Sequence, residues 1–274
     1  MKLSDIELEQ DKYYFLSPFG IGDTLILCGF KKEIERKLNG RICLIIKPSH
    51  KIIMDMCNIK DFILLESDAR YTLASEELKM LSAKYPYPIK GQIYVAHYLL
   101  HPQFKDIIEQ QSIKKIFTFL DCYRYFLGLD WSTELCFSTD LSRVKMKCQL
   151  DVDCKKTVLL IPEAHSVGTI QKKFWQELAD YVKSQNLVPI TATNAEYKIT
   201  GVKNINISLD ELVALTLNCH SVYTIRNGLC DLINFKENLW VIYPDVNTYN
   251  FNRLKTMFKG SNAHEVIWSK NYVF

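Results

Sequence analysis

Short apolar runs and longer segments with apolar residues three or four positions apart alternate along the chain. Tyr13–Ser17 is the first apolar run, and a polar, glycine-containing loop (Pro18–Asp23) separates it from a helical pattern over Thr24–Leu38. Asn39-Gly40 ends that pattern, and Arg41–Ile46 follows as a run that is apolar on both faces. A strand, a helix and a second buried strand in this order predict a βαβ unit with a parallel sheet.

The alternation continues through the first half of the chain. The elements expected there are a helix near Ile52–Met56, a strand at Asp61–Glu66, a helix at Ser75–Lys84, a strand at Gln92–Ala96 and an aromatic-rich helical segment over 104–129. The aromatic residues of 117–131 are expected in a hydrophobic core, with a wall of the acceptor site or an interface as the alternatives. A polar connection over Leu141–Lys156 then separates this half from the next.

The pattern restarts after this connection. The expected elements are a strand at Thr157–Ile161, a loop at Pro162–Gln171, a helix at Lys172–Gln185, a strand at Leu187–Thr191, a helix at Leu209–Leu217, a strand at Ser221–Ile225, a helix at Leu229–Phe235, a strand at Leu239–Tyr243 and a helix with an irregular end from Asn250. Ser208 and Glu211 have the spacing of a capping box. The restart predicts an α/β protein with two Rossmann-like domains, 1–150 and 151–274. One continuous doubly wound sheet remains the alternative.

Composition and charge narrow the function classes. Of 274 residues, 48% are hydrophobic and 24% charged, which excludes a disordered chain. The 34 Lys+Arg nearly balance the 31 Asp+Glu, so no basic face for nucleic acid is expected. The nine cysteines are scattered without a Cys-x-x-Cys pair, which predicts reduced thiols in a cytoplasmic protein and no metal site. The acidic N-terminus does not have the character of a signal peptide.

The first candidate site is Gly20-Ile-Gly22-Asp23, where the first strand ends and a helix begins. Ligands of α/β sheets bind outside the carboxyl ends of strands, and glycines there allow close approach to the backbone. Asp23 has two interpretations, which are a helix cap and a general base. Because Leu25 stands where a dinucleotide-binding motif has its third glycine, a nicotinamide-dependent oxidoreductase is disfavoured.

The second candidate site is the loop after the strand Thr157–Ile161, with His165 and Ser166, together with Lys172 and Lys173 at the start of the next helix. Lysines at a helix N-terminus can bind a phosphate. The alternative is a solvated turn in which these side chains bind nothing.

The third candidate site is Arg226-Asn227-Gly228, followed by Asp231 in the first turn of a helix. Arginine can bind a phosphate through two parallel hydrogen bonds, and Asn-Gly allows a tight turn. The alternative is an ion pair between Arg226 and Asp231 that only stabilises the loop.

Several segments together resemble the ADP-heptose:lipopolysaccharide heptosyltransferase family, which is glycosyltransferase family 9. They are Gly20-Ile-Gly-Asp23, Leu159-Leu-Ile-Pro162, Lys172-Lys-Phe-Trp-Gln-Glu-Leu-Ala-Asp-Tyr-Val182 and Ser208-Leu-Asp-Glu-Leu-Val-Ala-Leu215. The chain departs from the family at Arg226-Asn-Gly-Leu-Cys-Asp231, where the family carries Asp-Thr-Gly-Pro-x-His. An arginine there is similar to the phosphate-binding arginine of fucosyltransferase-like enzymes.

The resemblance implies a GT-B fold, with two Rossmann-like domains facing a cleft, and an inverting hexosyl- or heptosyltransferase that uses neither metal nor cofactor. Asp23 corresponds to the family's proposed base, and Lys172 or Lys173 to the lysine that contacts donor phosphates. The implied partners are a nucleotide-sugar donor and a glycan, lipid-linked or protein acceptor in bacterial surface-polysaccharide assembly, with peripheral binding at a membrane left open. A non-catalytic nucleotide- or glycan-binding protein is the alternative. The one Asp-x-Asp pair, Asp151-Val-Asp153, lies in the connection, away from the candidate sites.

Overall fold

A computed structural model describes residues 3–67, 74–137, 140–164, 167–193 and 197–268 of the chain. The chain divides into two compact units, Met1–Asp140 and Leu141–Phe274. Within the described residues each unit has its own sheet, so the alternative of one continuous sheet is wrong. The division lies before the expected boundary near residue 150, and the polar connection begins the second unit.

The first unit is built on a parallel sheet in the order β3-β2-β1-β4. Its strands are β1 (Tyr13–Ser17), β2 (Ile42–Ile46), β3 (Phe62–Leu64) and β4 (Ile93–Val95). Its helices are α1 (Ile21–Leu38), α2 (Lys51–Met56), α3 (Glu76–Lys84), α4 (Pro102–Ile113) and α5 (Phe119–Leu127), with 3₁₀ turns at Leu3–Asp5, Pro48–His50 and Tyr98–Leu100. Because β1 lies between β2 and β4, the winding direction reverses beside β1, and this is where α/β sheets bind ligands.

Helix α1 differs from the prediction at its N-terminus. It begins at Ile21 instead of Thr24, so Asp23 lies within its first turn. Asn39 ends it with a left-handed backbone (φ 46°), and two strands packed beneath it, β1 and β2, are buried along almost their whole length. Because both faces of these strands are buried, their sequences are continuous apolar runs, and the ends of the runs predict the ends of the strands.

The aromatic-rich segment is two helices, α4 and α5, and not one. A turn over 114–118 separates them, with Lys115 in a left-handed conformation (φ 59°). Thr118 then starts α5 by accepting a hydrogen bond from the backbone N–H of Asp121, whose carboxylate accepts one from the backbone N–H of Thr118. Helix α5 packs on α1 and turns Tyr123 toward it.

The second unit is built on a parallel sheet in the order β10-β9-β8-β5-β6-β7. Its strands are β5 (Thr157–Ile161), β6 (Val188–Thr191), β7 (Lys203–Asn204), β8 (Ser221–Ile225), β9 (Leu239–Tyr243) and β10 (His264–Ile267). Its helices are α6 (Lys172–Ser184), α7 (Leu209–Asn218), α8 (Gly228–Leu232), α9 (Val246–Asn252) and α10 (Leu254–Met257), with a 3₁₀ turn at Leu141–Arg143. The winding reverses here between β5 and β8.

The apolar stripe of α6 anchors the core of the second unit. Phe174, Trp175, Leu178 and Val182 are buried against β5 and its neighbours. The capping box of Ser208 and Glu211 is present at the start of α7, as predicted. The predicted fold class, an α/β protein of two Rossmann-like units, is therefore confirmed. No described helix has both the length and the apolar composition that crossing a membrane requires.

Candidate active site

The carboxylate of Asp23 lies at the carboxyl edge of β1 and is held from two sides. Its Oδ2 accepts a hydrogen bond from the backbone N–H of Gly20 at 2.9 Å, and its Oδ1 accepts one from the hydroxyl of Tyr123 at 2.6 Å. The side chain of Asp23 keeps 13% of its surface exposed. Both interpretations of Asp23 are thus compatible with the structure, since it caps α1 and still presents a carboxylate to solvent.

Gly20 has a steric reason to be glycine. A Cβ at this position would lie 3.0 Å from Asp23 Oδ2, so a side chain would push against the carboxylate. Gly22, the second glycine of the motif, is buried in the first turn of α1. Gly20, Gly22 and Asp23 are therefore brought together by the turn from β1 into α1.

His97 is the second polar side chain near this carboxylate, after Tyr123, and no sequence motif pointed to it. Its Nε2 lies 3.8 Å from Asp23 Oδ1, and its Nδ1 accepts a hydrogen bond from the backbone N–H of Leu99 at 3.4 Å. The edge of Phe19 and the face of Tyr98 pack on the imidazole, with ring centroids 4.5 and 4.9 Å away. Burial lowers the pKa of His97, although the charge of Asp23 acts in the opposite direction.

Tyr123 is fully buried, and its hydroxyl is the part that reaches the site. Burial raises the pKa of Tyr123 well above its usual value, and the negative charge of Asp23 adds to the effect. The phenol therefore stays protonated and donates its hydrogen bond across the whole physiological pH range.

A buried chain of polar groups lies beneath the start of α1. The hydroxyl of Thr24 is 2.8 Å from Ser17 Oγ and 2.8 Å from His50 Nδ1. These three residues join the end of β1, the first turn of α1 and the turn after β2, so they fix the helix that carries Asp23. Fully satisfied buried networks of this kind make a local structure rigid.

Two of the predicted phosphate-binding lysines begin α6 in the second unit. Lys172 and Lys173 are exposed, and the N-cap residue Gln171 makes no side-chain hydrogen bond to the first-turn amides. Lys173 is 3.6 Å from Glu177 one turn along, whereas Lys172 has no acidic partner within 4.0 Å in the described part of the chain. His165 and Ser166 lie outside the described residues.

Arg226 is buried and tied to its own loop. It pairs with Asp231 at 2.6 Å and donates to the backbone carbonyls of Asn252 and Asn227. Burial acts to lower the pKa of Arg226, but Asp231, Cys230 and Tyr243 together raise it above its usual value. The ion pair that the sequence analysis gave as one interpretation is present, and a phosphate contact by Arg226 stays a prediction.

The rest of this loop is also internally bonded. Asn227 caps α8 by accepting hydrogen bonds from the backbone N–H groups of Leu229 and Cys230. Gly228 opens the helix and is half-buried, whereas Asp231 is buried. In the described ranges, no group of three or more His, Cys, Asp or Glu side chains is arranged to hold a metal ion.

Two Rossmann-like units, each built on its own parallel sheet, are the two components of a GT-B fold. Neither a family model nor a curated protein sequence matches the chain. Among solved structures, a family 9 glycosyl transferase from Veillonella parvula matches with a TM-score of 0.57 at 11% identity, over 98% of this chain and 90% of that one. The ADP-heptose lipopolysaccharide heptosyltransferase II of E. coli matches with a TM-score of 0.51 at 12% identity, over 93% and 89%.

A third solved structure is TibC of enterotoxigenic E. coli, an iron-containing dodecameric glycosyltransferase. It matches with a TM-score of 0.56 at 12% identity, over 98% of this chain and 65% of that one. At these identities the likeness shows a shared fold. The resemblance to family 9 that the sequence motifs indicated is confirmed at that level.

Proposed function

We propose that the protein is a glycosyltransferase that moves a sugar from a nucleotide-sugar to a hydroxyl group of a glycan, lipid-linked or protein acceptor. The observation that carries the proposal is the Asp23 carboxylate. It is oriented by Gly20 and Tyr123, partly open to solvent, and placed at the ligand-binding edge of a fold shared with glycosyltransferases.

Asp23 is the proposed general base. The acceptor oxygen attacks the anomeric carbon while its proton passes to the carboxylate, and the bond from that carbon to the diphosphate breaks. A nucleoside diphosphate leaves, and attack from the opposite side inverts the anomeric centre. A carboxylate suits this step because the hydroxyl proton becomes acidic only as the new bond forms, and orientation supplies much of the rate.

The second unit is the proposed donor side. Lys172, the first-turn amides of α6 and the exposed Lys173 are available to neutralise the diphosphate as it departs. Arg226 and Asp231 contribute by holding the loop around Asn227 and Gly228 in shape. We propose that these groups take the place of a metal ion in this reaction.

We place the reaction in the bacterial cytoplasm, in the assembly of surface polysaccharide. All nine cysteines are free thiols, six of them buried and two half-buried, as is usual for a protein of a reducing compartment. Nucleotide-sugars are water-soluble donors, so we expect the protein to bind its donor in the cytoplasm and not within a membrane.

The test is a thermal-shift panel of nucleoside diphosphates and their sugars, followed by an assay for released nucleoside diphosphate. A ligand that binds only the folded protein must raise its apparent stability. We expect at least one nucleotide-sugar to do so, and to be turned over by the wild type with and without a chelator. A flat response to every nucleotide contradicts the proposal. Binding without turnover across an acceptor panel would instead show a non-catalytic binding protein.

A further inference from the structure

Asp23 Oδ1 and His97 Nε2 are spaced so that a single hydroxyl group can hydrogen-bond to both. The distance of 3.8 Å between His97 Nε2 and Asp23 Oδ1 exceeds a hydrogen bond, so the two side chains do not satisfy each other directly. An oxygen atom to one side of the line that joins these two atoms can lie about 2.8 Å from each, which is the usual length of such hydrogen bonds.

Asp23 has acceptor capacity left for that hydroxyl. A carboxylate offers about two acceptor positions on each oxygen. Gly20 takes one position on Oδ2, and Tyr123 takes one on Oδ1. Both hydrogen bonds also fix the plane of the carboxylate, so its remaining acceptor positions point in defined directions.

His97 is arranged as a donor toward the same place. Because Nδ1 accepts from the backbone N–H of Leu99, the neutral ring carries its proton on Nε2, the atom that faces Asp23. Phe19 and Tyr98 hold the plane of the ring. The polar or titratable groups around this imidazole are Asp23, Tyr98, Tyr123 and, through its charge, His101.

We infer that Asp23 and His97 form a two-point hydroxyl site, in which His97 Nε2–H donates to the hydroxyl oxygen and Asp23 accepts the hydroxyl proton. This inference rests on the proposed function for the reaction that follows binding. In that reaction the oxygen forms its bond to the anomeric carbon, the carbon–diphosphate bond breaks, and the proton is left on Asp23. His97 remains neutral throughout and directs the attacking lone pair.

The state of His97 fits this role. Burial keeps the imidazole neutral near pH 7, where Nε2–H is a donor without a charge that would capture the Asp23 carboxylate. In acid, a protonated His97 would pair with Asp23 and close the hydroxyl site. The site therefore loses its function on the acid side through protonation of His97.

Two matched substitutions of His97 distinguish a role as hydrogen-bond donor to the hydroxyl from a role as acceptor for the backbone N–H of Leu99. Gln in place of His97 offers an amide N–H near the position of Nε2, whereas Asn offers an acceptor near the position of Nδ1, which meets Leu99. The assay is nucleoside diphosphate release with the best donor of the nucleotide panel and with methyl hexosides as acceptors. His97→Phe keeps an aromatic ring and serves as the variant without either polar atom.

We expect His97→Gln to retain most of the wild-type kcat/KM, while His97→Asn and His97→Phe lose about tenfold to a hundredfold, as for one oriented hydrogen bond. All three variants lack the titratable imidazole, so the part of the acid limb of the pH profile that His97 causes should be absent from each of them. Retention by His97→Asn together with loss by His97→Gln would overturn the inference, because His97 would then act only through Leu99. Circular dichroism of all three variants identifies any that fail to fold.

A measurement without a donor distinguishes failure of this inference from failure of the proposed function. Methyl hexosides are titrated into the wild-type protein and Asp23→Ala while the ¹⁵N resonances of the His97 ring are followed. A shift of Nε2 in the wild type and none in Asp23→Ala supports the hydroxyl site, even if no nucleotide-sugar is turned over. Absence of a shift in the wild type overturns the site, whatever the nucleotide panel shows.

Discussion

The hydroxyl of Tyr123 donates a 2.6 Å hydrogen bond to the carboxylate of Asp23, which lies 100 positions earlier in the chain. One residue is on α5 and the other is in the first turn of α1, so the packing of these two helices sets the orientation of the carboxylate. A hydrogen bond to a charged group inside a protein is worth about 1.5–3 kcal/mol. The packing of the first unit and the chemistry proposed for Asp23 are therefore linked through this contact.

Replacement of Asp23 should separate its two functions. Asp23→Asn keeps an oxygen that can accept from Gly20 N–H but removes the base and the charged acceptor of Tyr123, so turnover should fall about a hundredfold to ten-thousandfold, with a smaller loss of stability than in Asp23→Ala. Asp23→Ala should lose turnover equally and also lower the free energy of unfolding by about 1–3 kcal/mol. Donor turnover and urea denaturation measure the two effects. Full activity of Asp23→Asn would exclude Asp23 as the base.

Tyr123→Phe should weaken both the site and the fold. Loss of the hydroxyl removes one of the two hydrogen bonds that orient Asp23, and we expect about 1–3 kcal/mol lower stability at neutral pH. Tyr125→Phe is the matched control, since Tyr125 is on the same helix and packs on aromatic rings. Equal effects of the two substitutions would show that the contact with Asp23 is energetically unimportant.

The contribution of the Tyr123 hydroxyl to the free energy of unfolding should disappear at alkaline pH. Its pKa is raised in the folded state, so its stabilisation is complete below the unfolded value of about 10 and is lost as the pH rises toward the folded value. The difference in free energy of unfolding between wild type and Tyr123→Phe should be constant near pH 7 and shrink above about pH 10. Denaturation curves at both pH values test this, and a difference that grows in alkali would contradict it.

His97 should affect stability on the acid side. Its pKa is lowered in the folded state, so its contribution is present above the unfolded value of about 6.5 and is lost as the pH falls through the folded value. His97→Phe should therefore flatten the acid limb of the stability curve, with a residual slope from His101, whose pKa burial also lowers. Asp23→Asn should lower the pKa of His97 further by NMR titration, because it removes the charge that opposes the shift.

The two lysines at the start of α6 should differ in their effect on nucleotide binding. Lys172→Ala should weaken binding of the nucleoside diphosphate about tenfold, as expected for the loss of one charge-assisted contact. Lys173→Ala should have a smaller effect, since Lys173 is 82% exposed and lies 3.6 Å from Glu177. Calorimetric titration of both variants gives the comparison. Unchanged affinity in Lys172→Ala would remove it from the proposed donor site.

The Arg226–Asp231 pair should prove more important to stability than to binding. Both side chains are less than 5% exposed, so removing one partner leaves a buried charge and should cost about 3–5 kcal/mol. The double variant Arg226→Met with Asp231→Leu should be less destabilised than Arg226→Met alone. Greater destabilisation of the double variant would show that the pair is not coupled in this way.

Much of the fold was predictable because its strands are buried on both faces. β1, β5, β8 and β9 have the bounds expected from their apolar runs. The strands that were missed, β7 and β10, lie at the two edges of the second sheet, where β7 is exposed and β10 partly so. An edge strand has one neighbour and less burial, so its sequence carries little apolar signal.

The candidate site was predictable only where it is local. Gly20 and Asp23 are three residues apart, and their contact follows from the strand-to-helix turn. His97 follows directly after β4, at the same sheet edge, but only the sheet order places β4 beside β1. Tyr123 belongs to a segment assigned to the core, and it is fully buried, yet its hydroxyl is part of the site. Contacts of this sequence separation depend on tertiary packing, which residue patterns do not encode.

The hydrogen bond from the backbone N–H of Gly20 to Asp23 affects what an aspartate at this position says about the activity of a related sequence. A descendant of this chain that no longer transferred sugar would still need an acceptor for that amide, so natural selection on folding alone would retain the aspartate. An aspartate at this position in a distant sequence is then a record of helix geometry as much as of chemistry. A histidine after the fourth strand, which the helix start does not require, would be the more informative marker of a working enzyme.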